Sequence, residues 1–306
     1  MSHSASAVTA GIDLGGTGTR IVIRGESGTI NTRTLPTAYF TQLSQSQRSE
    51  ALAFQVRELI PTGMELLSLG IGASGPVDTD AGVITNKDTL ACFSFFPLVD
   101  ELHQHLKVKV SMDNDAVAAV LGEYAFGAGI GSKRLLMVTL GTGIGVALLE
   151  NGRPFRTGNG QHPEAGHIPI SGNQTPCYCG LHGCWETLAS RSWLQQNLEA
   201  LLPGISFEKN NVSFYSDIAA QRQDVAALFH RYGSYLGRGL VTLLTLYGPD
   251  LTILSGSAAH YYPLFRSGLD ESLRRSEAYA VNTLIVPSKL GDIAGALGAT
   301  VIPSLD

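Results

Sequence analysis

The chain has 306 residues, 44% of them hydrophobic, with 35 glycines, 15% charged residues and a net charge of −5. That length suggests about two domains, and a charged fraction below the usual ~25% belongs to a compact protein rather than a disordered one. No clustered lysine and arginine offers a nucleic-acid surface, and no apolar run reaches the length of a membrane span.

The N-terminal stretch MSHSASAVTAGIDLGG lacks the basic start, long apolar run and cleavage site of a signal peptide, so the expected location is the cytoplasm. Strands are predicted over 8–14 and 20–24, joined by a Gly/Thr turn, and a further turn at Gly25–Gly28 leads to a third strand. Ala51, Phe54, Val56 and Leu59 fall at roughly helical spacing within a helix predicted over 46–60. LLSLGIGASGPV (66–77) reads as a strand running into a Ser-Gly-Pro loop, and VKVSM (108–112) as another strand, followed by a helix from about Ala116. RLLMVTLGTGIGVALLENGRPF (134–155) repeats the opening order of strand, Gly/Thr turn, strand, turn, strand. A long helix is predicted over 223–247, then a strand in LTILSGSA (251–258) that ends in Ser-Gly, then a further helix. The same order of elements thus occurs twice, which predicts two related lobes with a ligand site in the cleft between them.

The turns Gly15-Gly16-Thr17 and Gly141-Thr142-Gly143 each follow a buried strand. Glycine has no Cβ, so backbone N–H groups there can approach an anion closely, and two such turns facing each other would hold a polyphosphate. The same residues would also suit plain hairpins whose glycines take positive φ. Neither turn is the GxGxxG of a dinucleotide fold, and no GxxxxGK[ST] is present. Asp13 ends the first strand; a carboxylate facing a phosphate cradle calls for a divalent cation such as Mg²⁺, the alternative being an Asx-turn cap. Asp115 lies near the start of a helix, where aspartate is a common N-cap. With Asp113 and Asn114 it also stands at the mouth of a strand, where it could accept a hydroxyl proton while Asn114 both donates to and accepts from sugar hydroxyls.

The stretch PEAGHIPISGNQTPCYCGLHGCWET (163–187) holds three of the four cysteines within eight residues, together with two histidines and two glutamates. Such crowding reads as reduced metal ligation rather than as a disulfide framework.

Together DLGGTGTR (13–20), DND (113–115), LGTGIG (140–145), EAGH (164–167) and CYCGLHGCWE (177–186) resemble the ROK family of bacterial sugar kinases, over nearly the whole chain from about residue 8. The resemblance implies an α/β protein of the two-lobed actin-like, ribonuclease H-like ATPase fold with an interlobe cleft. The lobes expected are a small one over 1–116, with a helix over 291–306 packing back onto it, and a larger one over 117–290 that contains a zinc-binding loop. The implied reaction is transfer of the ATP γ-phosphoryl group to the 6-hydroxyl of a hexose or N-acetylhexosamine, an ATP:hexose 6-phosphotransferase with Asp115 as general base. Asn114, Glu164, His167 and Glu186 are implied to grip the sugar ring, with Gly75 and Asn86 in loops that line its pocket. His167, Cys177, Cys179 and Cys184 match the family's zinc ligands. ATP is expected against Gly15, Gly16, Thr17, Gly141, Thr142, Gly143 and the Ser255–Gly256 loop, with Mg²⁺ near Asp13, and family analogy suggests a homodimer or homotetramer.

Departures from the family pattern are LSGSA at the second nucleotide loop, with Ser255 and Ser257 there, Val146 after the second glycine turn, His162-Pro163 before Glu164, and NKDTLACFSFFPL (86–98). A Cys₃His shell has no open coordination position, so the zinc is expected to be structural, fixing a loop that presents Glu164 and Glu186. The alternative is that metal and sugar sites are independent. His182 is expected at the surface and Cys92 in the core or a pocket wall. Relatives of these kinases include sugar-responsive repressors, but only about seven residues precede the first strand, too few for a helix-turn-helix, so no nucleic-acid partner is expected. A non-catalytic sugar-binding protein is a further alternative, and an oxidoreductase would need the absent Rossmann pattern.

Overall fold

Two stretches of alternating apolar sequence, each broken by a Gly/Thr turn, fold as antiparallel hairpins and seed two sheets of one strand order. The computed structural model describes residues 6–87, 90–170, 172, 174–205, 207, 211–274 and 283–305. The first five residues of the N-terminal stretch and residues 88–89 of the segment 86–98 lie outside the described residues. In chain order the strands are β1 (Ser6–Leu14), β2 (Gly18–Gly25), β3 (Gly28–Pro36), β4 (Met64–Ala73), β5 (Val77–Asp78), β6 (Val83–Ile84), β7 (Lys109–Asn114), β8 (Arg134–Leu140), β9 (Ile144–Glu150), β10 (Arg153–Pro154), β11 (Leu251–Ser255) and β12 (Leu284–Pro287). The helices are α1 (Ala38–Thr41), α2 (Gln45–Arg57), α3 (Leu98–Leu106), α4 (Asp115–Phe126), α5 (Glu186–Ala189), α6 (Arg191–Leu201), α7 (Val212–Gln221), α8 (Gln223–Tyr247), α9 (Tyr262–Arg274) and α10 (Ala294–Ala299).

The chain forms two compact units, the first made of residues 1–131, 152–162 and 292–306 and the second of 132–151 and 163–291. The boundary expected at 116/117 falls inside α4, which belongs wholly to the first unit, and the chain re-enters that unit for 152–162. The segment expected as one helix over 291–306 is instead a six-residue α10 between short 3₁₀ turns at Gly291–Ile293 and Ile302–Ser304. Proline at 303 lacks an N–H to donate and so cannot carry the α-helical ladder onward.

In the first unit the sheet runs β3-β2-β1-β4-β7, with β2 antiparallel to its neighbours and β1, β4 and β7 mutually parallel. Ile12, Leu14, Ile21, Ile23, Phe40 and Ile71 are among the residues of its core. The small-residue helix α10 lies on this sheet and on α4 at backbone distance. A Cβ on Gly70 would sit 1.7 Å from the Ala299 oxygen, and one on Gly298 would sit 1.8 Å from the Ala118 oxygen. Glycine there is a packing requirement, and it fixes the ends of β1 and β4 against the start of α4. Helix α2 starts where the Ser44 N–H donates to Gln47 Oε1 at 2.9 Å, a capping box, one residue before the start the periodicity predicts.

The second unit repeats the β2-β1-β4-β7 order as β9-β8-β11-β12, with β8 antiparallel to β9 and parallel to β11. Its core is built on α8, whose bounds match the predicted 223–247 and whose buried Val225, Leu228, Phe229, Tyr232, Leu236, Leu240, Leu243 and Leu244 follow the helical repeat. Gly248 ends α8 in the left-handed region at φ 51°. Among the described residues no helix is long and apolar enough to cross a membrane.

Candidate active site

In the first unit β7 passes into α4 with no loop between them. Asn114 keeps an extended backbone and its Oδ1 accepts the Ala116 N–H at 2.8 Å, so Asn114 is the N-cap. The capping alternative considered for Asp115 therefore falls to its neighbour, because Asp115 is already the first helical residue. The Asp115 carboxylate accepts the Ala116 N–H on Oδ1 at 2.8 Å and the Ser74 hydroxyl on Oδ2 at 2.8 Å. Its charge sits in the first turn, where the helix dipole favours it. Asn86 Nδ2 donates to the Gly75 oxygen at 2.8 Å, and a Cβ on Gly75 would come within 2.9 Å of Asn114 Nδ2. The structure thus brings Gly75, Asn86, Asn114 and Asp115 into one constellation, with Ser74 as an added member.

Asp13, at the end of β1, belongs to the same unit. Burial in protein pushes its pKa up to about 7, with the Asp115 carboxylate as the next cause, while Arg20 opposes and Asp292 adds to the rise. Arg20 is itself engaged by Asp292, whose carboxylate lies 3.8 Å from its Nη2. Two mutually repelling carboxyl groups are hard oxygen donors of the kind that suit Mg²⁺. Beside them the turn Gly15–Thr17 is tied by Gly15 N–H to the Gly18 oxygen at 3.1 Å and by the Thr37 hydroxyl to the Gly15 oxygen at 2.6 Å. Gly16 and Thr17 are exposed.

In the second unit the Gly141 N–H donates to the Gly143 oxygen at 3.1 Å. Gly15, Gly141 and Gly143 all keep φ outside the left-handed region, so the plain-hairpin explanation from positive φ does not apply. A Cβ on Gly143 would lie 2.4 Å from Glu186 Oε2, so the Glu186 carboxylate rests directly against this turn. Gly256 does take φ +80°, and a Cβ on it would meet the Leu140 oxygen at 2.7 Å, which sets the Ser255–Gly256 loop against the strand that enters this turn. Arg191 closes the turn from another side, with its N–H on the Gly141 oxygen at 2.9 Å and its Nη2 on the Thr142 hydroxyl at 3.3 Å.

The loop after β9 gathers the thiols. The ligand atoms of His167, Cys177, Cys179 and Cys184 all lie within 4.8 Å of one another. Cys177 Sγ is 3.5 Å from His167 Nδ1, and the Sγ atoms of Cys179 and Cys184 are 3.6 Å apart. Zinc bonds of ~2.3 Å to sulfur and ~2.0 Å to nitrogen in a tetrahedron put ligand atoms ~3.5–3.8 Å apart, so the donor set fits zinc in type and spacing. Burial and then the adjacent thiols push Cys184 up to about 12, and burial raises Cys177. A backbone hydrogen bond from Leu181 lowers exposed Cys179. Thiols so placed ionise together only around a cation. His182 is exposed, and Cys92 packs at the edge of the first unit's core.

His167 carries two assignments, and its ring can divide them: Nδ1 faces the cluster, while Nε2 is 3.2 Å from the Tyr178 hydroxyl. Glu186 opens α5, and its Oε1 lies 3.5 Å from His167 Nδ1 and 3.4 Å from Cys177 Sγ. It therefore touches both the cluster and the glycine turn. Fully buried Trp185 anchors it from below, donating Nε1–H to the Tyr235 oxygen at 3.2 Å. Glu164 is exposed at the head of the 3₁₀ turn Ala165–His167. A Cβ on Gly166 would meet the Ile144 oxygen at 2.2 Å, so that turn lies directly on β9.

Sequence reasoning did not single out Ser74, Arg156 or Arg191. Ser74 stands in the flagged Ser-Gly-Pro loop, whereas the two arginines sit in no motif. Arg156 pairs with Asp113, 43 residues earlier, and side-chain partners at that separation leave no periodic trace.

The ROK family model matches residues 9–304. A glucokinase of Halalkalibacterium halodurans is 34% identical over 208 residues, 64% of this chain and 62% of that protein. A glucokinase of Thermotoga maritima is 28% identical over 95% of this chain and 96% of its own length. A xylose repressor of Bacillus subtilis is 30% identical over 78% of this chain but only 61% of the repressor. Among solved structures, a ROK family glucokinase from Streptomyces griseus in complex with glucose and AMPPNP has a TM-score of 0.79 and 26% identity, covering 98% of this chain and 100% of that one. The duplicated sheet order is that of the actin-like ATPase fold.

Proposed function

The chain belongs to the ROK family, and from that premise we propose that it is an ATP-dependent sugar kinase acting on the 6-hydroxyl of a hexose or N-acetylhexosamine. The observation that carries this reading is the placement of Asp115: first in α4 after the N-cap Asn114, held by the Ala116 N–H on one oxygen and by the Ser74 hydroxyl on the other, and grouped with Asn86, Gly75 and Asn114. A carboxylate so oriented is suited to accept the proton of an attacking alcohol. Phosphoryl transfer needs alignment, charge neutralisation and that proton acceptor, and little else from the protein.

Asn114, Asn86, Glu164, Glu186 and His167 would align the sugar through its ring hydroxyls. The backbone amides of Gly15–Thr17 and Gly141–Gly143, with Gly256 beside them, would hold the triphosphate. Asp13 is the residue that would face Mg²⁺, which supplies neutralisation of phosphate charge when bound. The cluster His167, Cys177, Cys179 and Cys184 would hold a structural zinc that stiffens the loop bearing Glu164 and Glu186. Glu186 supports this coupling of loop and turn, since one carboxylate abuts the cluster and Gly143 together.

The test is ADP release with Mg²⁺ across a panel of hexoses and amino sugars. Sugar-dependent ADP release is expected for at least one member, and D115N should lose turnover by roughly 10²–10⁴-fold while sugar affinity stays within a few-fold. Near-parent turnover in D115N would remove Asp115 from the role. A second reading, a sugar-responsive regulator, draws only on the likeness to the repressor; absence of ADP release with retained sugar binding would favour it.

A further inference from the structure

Two residues before Asp115, Asp113 is 3% exposed, and a buried carboxylate is unfavourable unless it is paired. Its partner is Arg156, on the stretch 152–162 where the chain re-enters the first unit. The pairing is bidentate: Arg156 Nη1 donates to Asp113 Oδ1 at 3.0 Å and Nη2 donates to Oδ2. The same Oδ1 accepts the Asn114 N–H at 2.7 Å. Asn114 in turn caps α4 through the Ala116 N–H, which Asp115 Oδ1 shares. An unbroken series of hydrogen bonds therefore leads from the Arg156 guanidinium to the carboxylate of Asp115.

We infer that Arg156 is a positioning residue for the reaction: by pairing with both oxygens of Asp113 it keeps that carboxylate turned onto the Asn114 N–H, which fixes where Asp115 points. Resting on the reading of Asp115 as the base, the assignment deepens it. The geometry favours this over a simple surface ion pair. Exposed pairs hold two flexible side chains to little effect, whereas here the acid is buried and meets the partly exposed Arg156 through a bidentate, fork-on-fork contact. Without Arg156, the Asp113 carboxylate can turn toward the adjoining cavity of about 520 Å³, which both residues line. That turn loosens the Asn114 amide, and a displacement of ~1 Å at a reacting group costs about 10²-fold in rate.

The experiment compares R156M, D113N, the double variant D113N/R156M and D115N. Each is assayed with MgATP and glucose, or the best hexose of the panel, and each is checked for folding by thermal melting. R156M is expected to lose roughly 10–100-fold in kcat with sugar KM within about fivefold. D113N/R156M is expected to recover at least about tenfold of that loss, because a neutral amide at 113 can still accept the Asn114 N–H without needing a cation. A role limited to anchoring the segment 152–162 predicts no rescue, since the ion pair is absent from both. An R156M kcat within threefold of the parent beside an inactive D115N overturns this assignment alone, as does a loss that D113N leaves uncorrected, including one caused by misfolding. Parent-like turnover in D115N overturns the reading of Asp115 and this assignment with it.

Discussion

The two sheets share one strand order, yet the side chains at their working ends are held by different means. In the first unit the proposed site residues stand where a strand becomes a helix. Asn114 and Asp115 are held by a cap, a serine hydroxyl and, through Asp113, a pair between a buried carboxylate and a partly exposed arginine. In the second unit Glu164 and Glu186 flank a loop whose described residues form isolated β-bridges and scattered backbone hydrogen bonds rather than a strand or a long helix. Four clustered His and Cys atoms, a glycine seated on β9 and a buried tryptophan lie along it. Where backbone geometry is supplied by regular elements, hydrogen bonds suffice. Where they are fewer, a cross-link would do the same task, and the proposed metal at the thiol cluster is of that kind.

This contrast predicts separate sensitivities. The largest belongs to Asp13, because the first unit keeps charge close to charge. Its pKa is raised from 3.8 to about 7, so the folded state holds its proton more tightly than the unfolded one. The stabilisation from that proton is complete below pH ~4 and lost as the pH climbs through ~7, an effect of about 4 kcal/mol at most. Urea unfolding in EDTA, from pH 4 to 8, should therefore show the parent losing stability relative to D13N as the pH rises. A parent-minus-D13N difference that ignores pH would show that the acid is not held in this way.

The second unit should respond to metal instead. Cys184→Ser, or stripping with a strong chelator, should remove about one zinc per chain and weaken sugar binding by roughly 10–100-fold. Amide exchange should accelerate over 164–170 and 174–187 while α4 remains protected. Equal loss of protection in α4 would break the contrast, and protein purified without chelator that carries no zinc would remove its basis.

What the sequence made legible follows the same division. The duplicated order, the bounds of α8 and the thiol cluster were readable because each leaves a local signature: a repeated turn, a helical period, a tight cysteine spacing. The exchange of cap and first helical residue between Asn114 and Asp115 was not readable. Both types cap equally well, and only the Asn114 φ and ψ of −65° and 150° decide. The helix over 291–306 was expected from the resemblance alone; the structure confines α10 to Ala294–Ala299 and uses its small residues for close contact with β4 and α4. The partners of Asp113 and of the second glycine turn come from distant segments and had no local sign at all.

Arg191 offers the finest test, since it bears on the glycine turn alone. Its backbone N–H and its Nη2 both reach Gly141–Thr142, and its Nη1 donates to Gln195 at 2.6 Å along α6. The turn's shape rests on backbone groups that any residue at 191 would supply, so R191A should fold and melt like the parent. The guanidinium adds positive charge beside amides proposed to hold phosphate. An exposed charge of that kind contributes about 1 kcal/mol, so R191A should raise the KM for ATP roughly five- to tenfold, with sugar KM and kcat nearly unchanged. Nucleotide binding by calorimetry without sugar should weaken by the same factor, more at low salt than at high. An unchanged ATP affinity would mean that Arg191 only braces Thr142. A joint loss of sugar and ATP affinity would mean that the turn and the carboxylate of Glu186 respond as one body, and that the second unit's site cannot be divided as drawn here.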